Sequence, residues 1–93
     1  MMYKVKVTNQ FKKDWKLCIK RGLPMHLIEE AITILAQNGS LPEKYKPHRL
    51  SGTRLGEWEC HIRPDWLMIW EQDETELTLL MLNTGTHSDI FGR

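Results

Sequence analysis

Three histidines and one aspartate carry the chemistry open to this chain: His48, His61, Asp65 and His87. Histidine titrates near pH ~6.5 in model peptides, so an imidazole can give or take a proton at neutral pH. Cleavage of RNA without a metal needs groups of this kind. A base takes the 2′-hydroxyl proton, an acid protonates the departing 5′-oxygen, and cations offset the charge that builds on the phosphoryl oxygens. The four side chains can supply the proton transfers. Arg49, Arg54, Arg63 and the nearby lysines, Lys46 among them, can supply the cations.

Two other readings compete. Three histidines and an aspartate are an acceptable zinc ligand set, but no HxH, HxxxH or local cysteine pair is present, so no metal is expected. The plainer reading is structural. His26 opens a helix and reads as a surface residue, His87 beside Gly85 and Thr86 suits a turn, and Trp58, Trp66 and Trp70 read as core. Ser51 and Thr86 belong to no Ser-His-Asp arrangement. No glycine loop resembles a P-loop or a dinucleotide fingerprint.

The elements that must hold these groups follow from periodicity. Trp58, Cys60 and Ile62 alternate with Glu59, His61 and Arg63, which predicts a strand with an apolar and a polar face. Arg63-Pro64-Asp65 makes a tight turn. Trp66 to Trp70 is apolar throughout, as in a central strand covered on both faces. Residues 2–7 alternate, with Tyr3, Val5 and Val7 on a half-buried face. Thr8 or Asn9 caps a helix whose apolar stripe is Phe11, Trp15, Cys18 and Ile19, with lysines opposite. Pro24 opens a second helix, with Ile28, Ala31, Ile32 and Leu35 inward, and Gly39 stops it. Residues 40–56 read as an irregular loop carrying His48. A last strand spans Glu76 to Leu82, Thr84-Gly85-Thr86 breaks it, and the tail has room for one helical turn. The order is β-α-α-β-β-β. It predicts a two-layer α+β domain spanning residues 1–93, with a helical hairpin on one face of an antiparallel-rich sheet and His61 on the open face.

Composition is ordinary for a globular protein, 41% hydrophobic and 27% charged. No run of eighteen apolar residues exists, so no membrane span is expected. MMYKVKVTNQ has no apolar signal core, so a cytoplasmic location is expected. Cys18 and Cys60 sit at apolar-periodic positions and read as buried free thiols. The net charge is +1, but residues 1–54 hold eleven Lys/Arg against four Asp/Glu, a balance of +7. Residues 55–93 hold two against eight, a balance of −6. The basic half suits phosphates.

Five motifs carry a family resemblance: Tyr45-Lys46 followed by His48, Leu50-x-Gly52, His61-Ile62-x-Pro64-Asp65-Trp66, Thr84-Gly85-Thr86-His87 and Phe91-Gly92. Together they resemble the YafQ-type toxins of bacterial type II toxin–antitoxin systems, within the RelE/ParE superfamily. The resemblance spans essentially the whole chain. It implies a small microbial-RNase-like α+β fold and a cofactor-free endoribonuclease, an mRNA interferase that cuts mRNA in the A site of the 70S ribosome. It implies an active site of His48, His61, Asp65 and His87, with His87 as acid, His48 or Asp65 as base and His61 on the phosphate. Phe91 would hold or stack on the RNA, with Lys46, Arg49, Arg54 and Arg63 as RNA-binding cations. A cognate antitoxin, often of ribbon-helix-helix type, would bind the toxin, and operator DNA would be met only through that complex. Asn83 departs from the pattern, standing where a basic residue is expected, with Arg63 as the substitute. The alternatives are a ParE-like inhibitor of DNA gyrase, which does not need the histidine set, and a decayed toxin kept as an antitoxin partner.

Overall fold

The apolar run Trp66–Trp70 becomes the middle of a five-stranded sheet. The structure is a computed structural model that describes residues 2–92; Met1 and Arg93, the ends of the expected span, lie outside the described residues. The elements in chain order are β1 (Lys4–Val7), α1 (Asn9–Lys20), α2 (His26–Asn38), β2 (His48–Arg49), β3 (Trp58–Arg63), β4 (Trp66–Asp73), β5 (Thr78–Gly85) and α3 (His87–Phe91). Short 3-10 turns at Glu43–Tyr45 and Gly52–Arg54 flank β2. The strand order is β1-β5-β4-β3-β2. β1 runs parallel to β5, and the other pairs are antiparallel. This is the expected α+β fold.

One sheet face packs on the helices. Phe11 and Cys18 of α1 and Ile28, Ala31, Leu35 and Ala36 of α2 form one core with Cys60, Trp66, Met68, Trp70, Leu79 and Met81. Period two on β4 therefore sends Trp66, Met68 and Trp70 to the helices and Leu67 and Ile69 to the opposite face. All five are buried. The Thr8 hydroxyl caps α1 by accepting from the Phe11 N–H, as expected, and Gly39 ends α2 in the left-handed region. Cys18 and Cys60 are buried free thiols, and burial pushes the Cys60 thiol up to about 12.

Five expectations change. β1 is exposed along its length, because it is an edge strand paired only with β5, so Val5 and Val7 are not half-buried. Ile19 is 54% exposed and lies off the α1 stripe. α2 begins at His26, not at Pro24. The region 40–56 is not wholly irregular: His48 and Arg49 add a short strand to the edge of β3. β5 spans Thr78–Gly85 rather than Glu76 to Leu82: Glu76 and Leu77 belong to the turn, while Thr84 and Gly85 both pair with β4 and the buried Thr84 hydroxyl donates to the Leu67 carbonyl at 2.8 Å.

Tyr3 closes the edge of the core. Its N–H donates to the Ala36 carbonyl at 2.7 Å, and its hydroxyl donates to Glu74. A Cβ at Gly39, where φ is +72°, would stand 2.8 Å from the Tyr3 ring. Gly39→Ala is therefore expected to cost roughly 1–3 kcal/mol in urea unfolding, from the left-handed backbone and this approach together. An unchanged unfolding midpoint would show that the Tyr3 ring moves aside freely.

Candidate active site

The sheet face turned away from the helices carries the imidazoles. Register pairs His48 with Glu59, His61 with Leu67, Asn83 with Ile69 and Gly85 with Leu67, which puts all of them on that face. The His48 and His61 rings stand 6.3 Å apart. His61 Nδ1 lies 3.2 Å from the Pro64 carbonyl, so the turn after β3 fixes its ring. Asp65 follows in that turn and accepts from the His87 N–H at 3.3 Å. The His87 ring lies 4.7 Å from Phe91, one turn along α3. Arg54 lies 5.8 Å over the Phe91 ring. Contacts thus run in one belt from His48 and His61 on β2 and β3, through the Pro64-Asp65 turn to the His87 backbone, and on to Phe91 and Arg54.

His48 is held at both ring nitrogens. Nδ1 lies 3.0 Å from the Lys46 carbonyl, and Nε2 lies 3.0 Å from a carboxylate oxygen of buried Glu59. These two contacts fix the plane of the ring. Arg54 is equally fixed. Its Nε donates to Glu57 at 2.6 Å, and a terminal nitrogen donates to the Asn83 side chain. Lys46, His61, Arg63 and Pro64 line one shallow depression with Lys44.

Not every expected residue joins the belt. Arg49 alternates with His48, so it faces the other side of the sheet, over Trp58 at 5.1 Å. The guanidinium that meets the Asn83 side chain belongs to Arg54. His26 is exposed on α2, apart from the site. Among the described residues no group of three or more His, Cys, Asp or Glu could hold a metal ion.

Residues missed in the sequence anchor the belt. The Trp66 indole donates to the Thr84 hydroxyl at 2.9 Å, which fixes the end of β5 against β4. Asp14 on α1 accepts from the Thr84 N–H at 3.1 Å. Arg21, at the end of α1, makes two hydrogen bonds to Asp89 of α3, 2.5 and 3.0 Å long. Asp89 also accepts from the Thr86 N–H at 2.9 Å, while the Thr86 hydroxyl accepts from the Asp89 N–H, a reciprocal cap. Gly85 permits this fold-back, because a Cβ there would stand 2.8 Å from the Asp89 carboxylate.

Residues 3–92 match the family model described as a bacterial toxin of type II toxin–antitoxin system, YafQ. The chain belongs to the YafQ toxin family. The mRNA interferase toxin YafQ of Escherichia coli K12 is 36% identical over 89 residues, covering 95% of each chain. The crystal structure of YafQ from E. coli BL21(DE3) has a TM-score of 0.89 at 33% identity, covering 97% of this chain and 99% of that one. A chain of the E. coli DinJ-YafQ toxin–antitoxin complex also gives a TM-score of 0.89 at 33% identity, covering 99% and 100%. Among the described residues of this YafQ-family toxin, no helix is long and apolar enough to cross a membrane.

The Arg21 guanidinium, aided by the Thr86 donors, holds the Asp89 carboxyl well below the usual carboxylate range, against the opposing effect of burial. A carboxyl lowered in the folded state stabilises the fold above its unfolded value, near pH ~4, and that contribution fades as pH falls below it. Asp89→Asn is therefore expected to lower the Tm at neutral pH, with the gap from wild type closing below pH ~4. A gap that stays constant into acid would show that the charge on Asp89 contributes nothing.

Proposed function

We propose that this YafQ-family toxin is an endoribonuclease that cuts mRNA on the ribosome by metal-free acid–base chemistry. The observation that carries the proposal is the belt itself: two imidazoles on one sheet face, joined through the β3–β4 turn and α3 to Asp65, His87 and the fixed Arg54 guanidinium. In this reading Asp65 is the base. One of its oxygens accepts the His87 N–H, and the carboxylate keeps lone pairs for the 2′-hydroxyl proton. The freed 2′-oxygen attacks the adjacent phosphorus, and the bond to the 5′-oxygen breaks. His87 is the acid, and its imidazolium gives that oxygen a proton. The proton inventory closes with side chains alone.

The remaining groups carry charge and position. His48, with both ring nitrogens engaged by Lys46 and Glu59, serves to position rather than as the base. His61, turned by Pro64, leaves Nε2 for a phosphoryl oxygen. Arg54 adds its guanidinium beside Phe91, whose ring offers a face for a base to stack on. Lys46 and Arg63, in the depression beside His61, follow the RNA backbone.

The same reading gives the partners. The E. coli relative is named an mRNA interferase, and another solved E. coli structure pairs YafQ with DinJ. For this chain we infer a cytoplasmic toxin, one domain over its length, restrained by a cognate antitoxin of ribbon-helix-helix type that alone brings it to operator DNA. The ribosome and mRNA in its A site are the target.

Induction of wild type is expected to arrest growth. His87→Ala and His61→Ala should each relieve the arrest and slow mRNA cleavage on programmed ribosomes by ~10²-fold or more. If both variants are as toxic as wild type, the site is wrong. Purified toxin should leave gyrase supercoiling unchanged; inhibition there would favour the ParE-like alternative.

A further inference from the structure

α3 carries two of the six belt residues, His87 and Phe91, yet little in it holds the helix down. It is five residues long and has no buried residue. A helix of that length is not stable on its own propensity. Its fixed points are the Asp65 contact to the His87 N–H, the reciprocal cap of Thr86 and Asp89, and the two-toothed bond from Arg21. With Arg54 over the Phe91 ring, three contacts reach other elements, and the Arg21 bond is the shortest and the only one that joins two full charges through two hydrogen bonds.

Arg21 is a firm anchor. It caps the C-terminal end of α1, where its N–H donates to the Leu17 carbonyl at 3.0 Å, and a cation at that end is favoured by the helix dipole. Asp89 is firm in turn, seated against Gly85 and accepting from Thr86. The pair therefore ties a core helix to the segment bearing His87 and Phe91, across 68 residues of sequence.

We propose that Arg21 and Asp89 are a positioning pair for the cleavage reaction. They touch no reacting atom and set where His87 presents its proton and Phe91 its ring. The inference rests on the endoribonuclease reading above. The side chains are 40% and 25% exposed, so solvent screening keeps the pair's contribution to global stability, and the Tm loss on Asp89→Asn, modest. Its value lies in geometry, because a misplacement of about 1 Å can cost ~10²-fold in rate.

The experiment measures mRNA cleavage on programmed ribosomes with the full chain. Its arms are wild type, His87→Gln, Arg21→Ala, Arg21→Lys, Asp89→Asn and the Arg21→Ala/Asp89→Asn double variant. Arg21→Ala should lower kcat about tenfold or more with KM nearly unchanged. Arg21→Lys should recover part of the loss, since an ammonium keeps the charge but not the fork. The double variant should be no slower than the worse single one, as for two residues acting through one bond. Hydrogen exchange should quicken at His87–Phe91 and stay unchanged in α1 and β4. The inference is overturned if Arg21→Ala keeps wild-type kcat, or if its loss appears in KM and adds to that of Asp89→Asn, as for an arginine that grips RNA directly. Failure of the reaction reading looks different: wild type does not cleave, or His87→Gln cleaves as well as wild type. In that event the exchange arm still decides whether the pair holds α3.

Discussion

The structure depends on the burial of one strand from both sides. β4 presents Trp66, Met68 and Trp70 to the helices and Leu67 and Ile69 to the opposite face, and all are buried. Apolar surface on both faces of a strand needs cover on both. The helical pair supplies one cover. On the other face Arg54 reaches Asn83, which lies opposite Ile69, and Phe91 lies beneath Arg54. The groups proposed for catalysis thus arrive with the segments that lie across this face. Stability and chemistry share one floor.

Much of this was legible in the residues, and the reason is local. Period two from Trp58 to Arg63 fixed the face of His61 before any partner strand was known. The apolar run of β4 announced its central place, and Thr8 and Gly39 marked helix ends by their own backbone chemistry. What stayed hidden depends on register between distant segments. β2 is two residues long, too short for periodicity to register. Its pairing alone decides that His48 meets Glu59 while Arg49 turns to Trp58. Arg54 meets Asn83 across 29 residues and Arg21 meets Asp89 across 68, distances over which sequence spacing carries no signal. The TGTH motif was visible, but its extension of β5 rests on the ladder to β4.

The charge asymmetry also takes on a local form. Glu57, Glu59 and Asp89 lie around the belt, where free carboxylates would repel RNA. Each has a cationic or protonatable partner: Arg54, His48 and Arg21 respectively. Other acidic residues of the C-terminal half gather elsewhere, with Glu71, Asp73, Glu74 and Glu76 rimming a hollow at the β4–β5 turn. With Glu57 and Asp89 paired to arginines beside the belt and other acids gathered at a distance, a chain of net charge +1 keeps a face suited to phosphates.

The parallel pairing of β1 with β5 bears on how the molecule is made. Lys4 to Val7 lie beside Thr78 to Met81, and the Thr8 N–H donates to the Met81 carbonyl. β1 has no neighbour in the sheet until β5 has been synthesised. Contacts so distant in sequence slow folding and come late. The belt shares β5 with that edge, so a half-made chain cannot assemble it.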